Sequence, residues 1–527
     1  MPSNPPFPRL AHAFRTLAVI LILAACQLPR PAAVLRSLTP PFTPNTPISA
    51  VADNPSTPTT EDHLQIQPSS QPATGTLETQ PSMPSPTETP TPPQNTQYVL
   101  DVAFHYGFHT LSVAQTITYW NTSSDVLGDL LLEVEANRYP GAFQLKSLAW
   151  GDGQPVSAYR LESNQLQIPF PQGLPPGEAV GLVLAYDLDL PPIPEPSDTV
   201  RPQPFGYTAR QTNLVDWYPY FPPYRSGGGW IIHTPWVFGE HQVYGIGDYE
   251  VNIQLLDSPP GLVLAASASE VKDGDTYHYS FQEARSFAWS ASPEYTVYTD
   301  TVGAVTVYSY GFPYYEQPAQ AALRFTVEAL STYQDLYGPY PHASLSVVVA
   351  DFLDGMEYDG LYFLSRGFYN LYDGTPAGYL TAIAVHETAH QWWYGLVGND
   401  QALEPWLDEA FCTYSERLFY ERNYPELVDW WWAFRVNFYQ PQGVIDKTIY
   451  DYNGFRPYRD AVYLQGARFF EALRQRVGEE AFFSFIKDYA AQETHQLATA
   501  QDFFDILREH SPAGLDGLFQ AYFSRTY

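Results

Sequence analysis

The protein has 527 residues, and its 57 Asp and Glu against 26 Lys and Arg give a formal net charge of −31 at pH 7. Such an acidic excess argues against binding to nucleic acid or to an anionic membrane surface. Aromatic residues make up 16% of the chain, which excludes a mainly disordered protein.

The first 26 residues have the pattern of a secretion signal. Arg9 and Arg15 precede an apolar run from Leu17 to Ala25, which is too short to span a membrane as a mature helix. Small residues directly before Cys26 resemble the lipobox of bacterial lipoproteins, in which cleavage precedes the cysteine and lipid is attached to it. We therefore predict a lipoprotein signal peptide over 1–26, a membrane anchor at Cys26, and an extracytoplasmic location in a bacterial cell envelope.

Residues 27–96 have a different composition from the rest of the chain. They hold 16 of the 49 prolines and one aromatic residue, Phe42, among many Ser and Thr. Such a segment lacks the apolar side chains needed to form a core and is typical of a disordered or polyproline II tether. At this length the tether would have a root-mean-square reach of roughly 45–50 Å, enough to lift a folded part away from a membrane.

Strand signals dominate from residue 97 to about residue 305. Short runs such as Gln115–Trp120 and Tyr249–Leu255 alternate polar with apolar residues or are rich in β-branched and aromatic side chains. Asn, Gly, Pro and Asp separate these runs about every ten residues. The pattern predicts a β-rich, sandwich-like N-terminal domain over 97–305.

The pattern changes over 306–527, which we predict to be a separate, mainly helical domain with a small sheet. A helix is predicted at 318–337 and ends at Gly338-Pro339, and buried strands follow at 344–352 and 360–365. Further helices are predicted at 379–395, 404–423, 427–439, 459–477, 479–491 and 499–510. The predicted fold class is therefore α+β.

One predicted helix carries a motif with metal-binding spacing. His386 and His390 stand four residues apart and share one helix face, where both imidazoles can bind one zinc ion, and Glu387 between them can reach a water at the metal. A catalytic zinc needs a third protein ligand, and Glu409, separated from His390 by eighteen residues, is the candidate. Its neighbours are mostly apolar, and a carboxylate in that setting needs a partner such as a cation. Cys412, the only cysteine beyond Cys26, is expected to be a small buried hydrophobe.

At this point the chain resembles the M1-type gluzincin aminopeptidases. The resemblance rests on the residues His-Glu-Thr-Ala-His-Gln-Trp-Trp at 386–393, on the eighteen-residue gap, and on Trp-Leu-Asp-Glu-Ala-Phe at 406–411. Upstream, the segment 355–358 resembles the family motif G-x-M-E-N, and downstream 463–467 resembles its Y-x-K-G stretch. The resemblance is strong from about residue 320 to 500 and extends more weakly over 97–527.

The resemblance implies a thermolysin-like catalytic domain with one zinc ion per chain, bound by His386, His390 and Glu409. It implies that Glu387 is the general base and that Tyr463 donates a hydrogen bond to the oxyanion of the reaction.

Three further residues, Gly355, Met356 and Glu357, would bind substrate. Glu357 would pair with the free α-ammonium group of a peptide and so fix the cut one residue from its end. Glu416 lies seven residues after Glu409 on the same helix face, which makes it a candidate partner for a ligating histidine.

Two positions depart from the family pattern, since Tyr358 replaces Asn and Gln465 replaces Lys. Neither is a predicted zinc ligand, so the departures bear on substrate positioning.

Together these residues predict a membrane-anchored, extracytoplasmic zinc metallopeptidase, most simply an aminopeptidase acting on peptides with a free N-terminus. One alternative is an endopeptidase, or a peptidase of narrow specificity, on the same site. Another is a catalytically inactive peptide-binding lipoprotein, although the complete set of ligands, base and tyrosine argues against it. No nucleic-acid partner is expected.

Overall fold

The computed structural model describes residues 95–195, 203–511 and 514–527. The predicted signal peptide over 1–26, the anchor at Cys26 and nearly all of the tether over 27–96 lie outside the described residues, so they stay predictions. Within the described ranges, no helix combines the length and the apolar character that crossing a membrane requires.

The described residues form 23 strands. They are β1 (Thr96–His105), β2 (Thr110–Trp120), β3 (Leu127–Glu133), β4 (Phe143–Trp150), β5 (Arg160–Glu162), β6 (Gln165–Leu174), β7 (Ala179–Asp189), β8 (Gly206–Tyr207), β9 (Thr212–Leu214), β10 (Tyr224–Arg225), β11 (Gly229–Trp230), β12 (Gly247–Asp257), β13 (Val263–Ala266), β14 (Val271–Asp273), β15 (Thr276–Ala284), β16 (Trp289–Ser292), β17 (Thr296–Val302), β18 (Val305–Gly311), β19 (Ser344–Ala350), β20 (Gly355–Tyr358), β21 (Leu361–Ser365), β22 (Gly398–Asn399) and β23 (Leu497–Ala498).

The α-helices follow the strands of the β-rich part. They are α1 (Glu316–Tyr337), α2 (Arg366–Leu371), α3 (Tyr379–Ala389), α4 (Trp406–Asn423), α5 (Val428–Trp431), α6 (Phe455–Arg459), α7 (Gly466–Val477), α8 (Glu479–Gln492), α9 (Ala500–His510) and α10 (Asp516–Tyr522). Two π-helices, Trp432–Val436 and Asp460–Gln465, interrupt this series. Short 3₁₀ turns lie at Glu135–Arg138, Pro313–Tyr315, Pro425–Leu427, Asn437–Tyr439 and Ile449–Asp451.

The β-rich part is built around a seven-stranded sheet in the order β14-β15-β12-β1-β2-β7-β4. Its strands alternate as the sequence pattern predicts. In β2, for example, Leu111, Val113, Gln115 and Ile117 are buried while the residues between them are more exposed. A four-stranded sheet, β13-β16-β9-β8, a three-stranded sheet, β3-β6-β5, and a two-stranded sheet, β10-β11, complete this part. One face of the long strands β1, β2, β7 and β12 therefore supplies the core.

A five-stranded sheet in the order β17-β18-β19-β21-β20 lies beside the helices. The parallel strands β19 and β21 are buried along their whole length, as strands covered on both faces must be, and β20 forms an antiparallel edge. The fold class predicted from the sequence, α+β with a β-rich first part and a mainly helical second part, is confirmed. The predicted boundary at 305 falls in the hairpin between β17 and β18, and the division into two domains there stays a prediction.

Three predicted helices differ from those observed. The helix predicted over 427–439 is the short α5, continued by the π-helix Trp432–Val436 and the 3₁₀ turn Asn437–Tyr439. The helix predicted over 379–395 ends at Ala389, because the chain turns sharply there and the amide of Gly395 bonds back to the carbonyl of His390. The helix predicted over 459–477 is α7 preceded by a π-helix, which widens the turn around Tyr463. Apolar spacing does not distinguish a π-turn from an α-turn, and single π-turns are frequent at functional sites.

Candidate functional site

The two histidines of the motif meet Glu409 at the centre of the helical part. His386 lies in the last turn of α3 and His390 caps its end, and α3 packs against α4, which carries Glu409 in its first turn. The Nε2 atom of His386 is 3.1 Å from Oε2 of Glu409, and Nε2 of His390 is 3.6 Å from the same oxygen. All three side chains are buried. The structure therefore brings the three predicted ligands together.

The orientation of the two imidazoles fits a metal site. Nδ1 of His386 lies 3.0 Å from Oε1 of Glu416, and Nδ1 of His390 lies 3.1 Å from the carbonyl oxygen of Trp393. Since both acceptors favour a proton on Nδ1, Nε2 of each imidazole is the nitrogen left to bind a metal at the shared centre. The three ligand atoms lie within 4.8 Å of one another, and two imidazoles with one carboxylate form a donor set that suits zinc.

Glu409 keeps its negative charge in this setting. Burial raises the pKa of its carboxyl group, but hydrogen bonds with His386 and His390 outweigh burial and bring the pKa to about 2. An anionic third ligand is what a divalent cation needs beside two neutral imidazoles.

Glu416, the predicted partner of a ligating histidine, lies against His386 and is itself held by two residues. Arg435 donates from Nε to Oε2 of Glu416 at 2.9 Å, and Trp431 donates from Nε1 to the same oxygen at 2.9 Å. Sequence reasoning missed Arg435 and Trp431. Only one feature of the sequence could have indicated them. Arg435 is the single charged residue in the aromatic segment 430–435, and a charge that is buried among aromatic side chains needs a charged or polar partner.

Glu387 points into the site with one carboxylate oxygen, Oε2, that has no hydrogen-bond partner among the described residues. Burial raises the pKa of Glu387 to about 8, while His390 and His386 act in the opposite direction. A pKa near neutrality suits a group that must both accept and return a proton.

Gly355 lies directly against Glu387. A Cβ atom at this position would lie 2.0 Å from Oε1 of Glu387, far inside contact distance. The sequence predicts that this glycine takes part in substrate binding. The structure gives it a further reason, because the missing side chain leaves the room that the Glu387 carboxylate occupies.

Glu357 lies on the edge strand β20 and is buried beside the metal ligands. Its Oε1 accepts a long hydrogen bond of 3.4 Å from Nε2 of Gln401, which also donates to Oδ2 of Asp408 at 2.8 Å. Ligand atoms of Glu357, Glu387 and His390 lie within 4.8 Å of one another. Gln401 and Asp408 carried no sequence signal of their own, because single polar residues near a motif are common.

Tyr463 approaches from the opposite side of the site, on the π-helix. Its hydroxyl donates to Oε1 of Glu409, and its ring stacks on His386 with centroids 5.9 Å apart. Tyr458 packs edge-on against this ring at 5.8 Å. The π-turn thus carries the tyrosine to the three ligands.

The two departures from the family pattern have defined surroundings. Tyr358 is buried, and its carbonyl oxygen accepts a hydrogen bond of 3.1 Å from Nε2 of Gln391, next to His390. Gln465 accepts from Nη1 of Arg468 at 3.2 Å. Cys412 is buried, with its thiol 3.9 Å from the carbonyl of Trp393.

A cavity of about 290 Å³ lies next to Glu357 and Met356. Its wall is rich in charge, with the carboxylates of Glu135, Asp216, Glu240 and Glu357 and the cationic or titratable side chains of Arg138 and His241. Arg138 is paired with Glu135, so the negative charge is in excess. The cavity is lined both by residues of the β-rich part and by the edge strand β20, which carries Glu357.

Comparison with known proteins agrees with this geometry. The sequence model of the peptidase family M1 domain matches residues 321–522. Aminopeptidase M1-D of rice (Oryza sativa subsp. japonica) is 29% identical over 206 residues, which are 36% of this chain and 24% of that protein. Human endoplasmic reticulum aminopeptidase 1 is 27% identical over 236 residues, 41% of this chain and 25% of that protein. The chain thus spans about a quarter of the length of these relatives.

Solved structures show the same fold over a much larger share of the chain. The M1 zinc metallopeptidase from Deinococcus radiodurans is 19% identical with a TM-score of 0.58, covering 82% of this chain and 96% of that one. A mutant of that enzyme bound to a Tyr-Ser-Ala substrate gives a TM-score of 0.57 at 18% identity, over 82% of this chain and 95% of the other. The buried His-His-Glu set lies within residues 321–522, the part of the chain that matches the peptidase family M1 domain.

Proposed function

We propose that the protein is a zinc aminopeptidase, an enzyme that hydrolyses the first peptide bond of peptides with a free N-terminus. The observation that carries the proposal is the convergence of four elements in one buried site. They are the His386, His390 and Glu409 ligand set, the unpartnered oxygen of Glu387, the Tyr463 hydroxyl and the Glu357 carboxylate. The aminopeptidases among the similar proteins support the same activity.

His386, His390 and Glu409 would hold the zinc ion. When bound there, zinc supplies Lewis-acid polarisation of the scissile carbonyl and a nucleophilic water at neutral pH. Glu416 and the carbonyl of Trp393 keep the two imidazoles in the tautomer that presents Nε2 to the metal.

Glu387 moves the proton of the reaction. Its Oε2 is buried and has no other partner in the described residues, so it is available to accept the proton of the attacking water. The same oxygen then returns the proton to the nitrogen of the leaving amine. Gly355 leaves room for this carboxylate, because a side chain at that position would overlap with Oε1 of Glu387.

Tyr463 stabilises the negative charge that develops on the carbonyl oxygen. Its hydroxyl donates to Glu409 in this structure and lies beside His386, within reach of a carbonyl that enters the site. A donor fixed in a buried site stabilises such charge without having to reorganise.

Glu357 gives the proposed reaction its exopeptidase character. Its carboxylate has one long hydrogen bond of 3.4 Å and lies near Glu387, so it can take the α-ammonium group of a peptide as a charged partner. The cavity beside it would receive the side chain of the first residue.

Hydrolysis of a panel of aminoacyl-amide substrates by wild type and Glu387→Gln tests this function. We expect metal-dependent turnover in the wild type and a loss of at least about 100-fold in the variant. Each peptide is paired with its N-acetylated form, which should not be cleaved. Cleavage of the acetylated peptides would favour an endopeptidase, and zinc binding without turnover of any substrate would favour the inactive peptide-binding alternative.

The proposal includes a cellular location. The signal pattern over 1–26 and the small residues before Cys26 support a lipid-anchored enzyme outside the cytoplasm of a bacterial cell. In a bacterial host, Cys26→Ser should prevent lipid labelling and shift the protein from the membrane fraction to the soluble fraction. Unchanged membrane association and labelling would contradict the anchor.

A further inference from the structure

Arg285 is a fully buried arginine that follows β15 and reaches from the β-rich part to the turn after His390. It is 1% exposed, and all hydrogen bonds of its guanidinium group go to backbone carbonyl oxygens. The acceptors are Tyr394 at 2.5 Å, Gln496 at 2.8 Å, Tyr244 at 2.9 Å, Gly395 at 3.0 Å and Leu396 at 3.4 Å. Burial lowers the pKa of Arg285 to about 10, so the group remains charged at neutral pH.

Three of these carbonyls belong to the turn that directly follows His390. The turn begins with Trp393, whose carbonyl oxygen accepts from Nδ1 of His390, and continues through residues 394–396. Tyr394 has a φ of 153°, a backbone conformation that residues with a side chain rarely adopt. Such strain persists only where the surrounding structure holds it, and the guanidinium group is bonded to the carbonyl of this very residue.

The guanidinium group fits a slot that the chain leaves open for it. A Cβ atom on Gly398, which lies in β22, would be 2.4 Å from Cζ of Arg285. Because Gly398 has no side chain, it leaves the space that the guanidinium group occupies. Even a methyl group at this position would push the guanidinium group away from the carbonyls. This gives a second way to disturb the contact without replacing the arginine.

We propose that Arg285 is a positioning residue for the metal ligand His390. It acts by fixing the turn 393–396, so that the carbonyl of Trp393 stays within hydrogen-bond distance of Nδ1 of His390. The inference rests on the proposed zinc site and extends it, because it makes the β-rich part responsible for the orientation of one ligand. Residues that orient a ligating histidine typically change metal affinity or activity by about 10- to 100-fold when they are lost.

The alternative is that Arg285 only ties the β-rich part to the turn and contributes stability. The two roles differ in what they do to the metal. A stabilising contact lowers the melting temperature and leaves zinc affinity unchanged, whereas a positioning contact lowers zinc affinity in protein that is folded. Arg474 is a matched control, because it is also a buried arginine with several hydrogen bonds, to Glu421 and Glu479, and it does not contact the turn.

The experiment compares full-length wild type with Arg285→Lys, Arg285→Met, Gly398→Ala and the control Arg474→Lys. Zinc dissociation constants are measured by competition with a chelator. Absorption spectra of the cobalt-substituted proteins report the ligand geometry, which zinc, a d¹⁰ ion, cannot. Melting temperatures of the metal-free proteins report stability. If Arg285→Met does not fold, Arg285→Lys and Gly398→Ala carry the test.

We expect Arg285→Met and Gly398→Ala to raise the zinc dissociation constant by about 10- to 100-fold and to shift the cobalt spectrum. Arg285→Lys should fall between them and the wild type, because an ammonium group can bond some of the carbonyls. If Arg285→Lys and Gly398→Ala kept the wild-type zinc affinity and cobalt spectrum and only melted at a lower temperature, this inference would be overturned. The proposed function would not be affected by that result. A folded wild type that binds no zinc would overturn the proposed function, and this inference with it.

Discussion

Replacing Gly355 with alanine offers a direct test of how Glu387 is held. The added Cβ would lie 2.0 Å from Oε1 of Glu387 and 2.9 Å from Cγ2 of Ile383. To restore an ordinary contact of about 3.4 Å, the carboxylate must move by about 1.4 Å. Glu387 lies on α3 and is buried against β20, so the movement of its carboxylate also takes Oε2 away from its present position.

The magnitude follows from that displacement. A misplacement of about 1 Å in a reacting group costs on the order of 100-fold in rate, and 100-fold corresponds to about 2.7 kcal/mol in the activation free energy. We expect Gly355→Ala to lower kcat by about 100-fold. Zinc content should be unchanged, because none of the three ligands is among the atoms that the new methyl group would meet.

Steady-state kinetics on an aminoacyl amide, with zinc content measured on the same sample, provide the assay. Gly378→Ala is the matched control, since Gly378 precedes the same helix, α3, and a Cβ there would meet nothing within 4 Å. If Gly355→Ala raised KM while kcat stayed within about twofold of wild type, the glycine would serve the substrate backbone instead, and the steric reasoning about Glu387 would be wrong.

Three further predictions concern other parts of the site. Tyr463→Phe should lower kcat by about 100-fold, measured by steady-state kinetics on the zinc-loaded protein, because it removes the hydroxyl donor. Glu416→Gln should weaken zinc binding by about tenfold and lower the melting temperature, since the partner of His386 loses its charge and Arg435 is left buried beside a neutral amide. In a panel of aminoacyl amides, an acidic first residue should give the lowest kcat/KM, because carboxylates dominate the wall of the cavity; equal rates for acidic and neutral residues would contradict this.

The sequence predicted the residues of the site better than their supports. His386, His390 and Glu409 could be read from spacing, because the helical period places i and i+4 on one face and the family gap identifies the third ligand. The partner of His386 was also predictable, since Glu416 lies on the same face of α4 as Glu409. The pairing of His386 with His390 and of Glu409 with Glu416 depends only on geometry within one helix, whereas the link between the two helices came from the family gap.

What the sequence could not predict depends on irregular backbone and on contacts between distant segments. The orienting partner of His390 is a backbone carbonyl in a turn, and every residue has one, so no side-chain pattern indicates it. Arg285 lies more than 100 residues before that turn in the chain, and nothing near it in sequence suggests a partner. The π-helix at Tyr463 was not predicted, because the spacing of apolar residues is similar in a regular α-helix and in one that contains a π-turn.

The two histidines of the site are therefore oriented by different means. The partner of His386 is a side chain within the helical part, where Glu416 is paired with Arg435, so its geometry is set by charges on α4 and the π-helix that follows α5. The partner of His390 belongs to a turn whose carbonyls are bonded to Arg285, and the same guanidinium group bonds Tyr244, a residue of the cavity wall. A helical part isolated from residue 306 onward would keep all three ligands and the base but lose this second support. The β-rich part thus contributes to the metal site itself, in addition to the wall of the cavity.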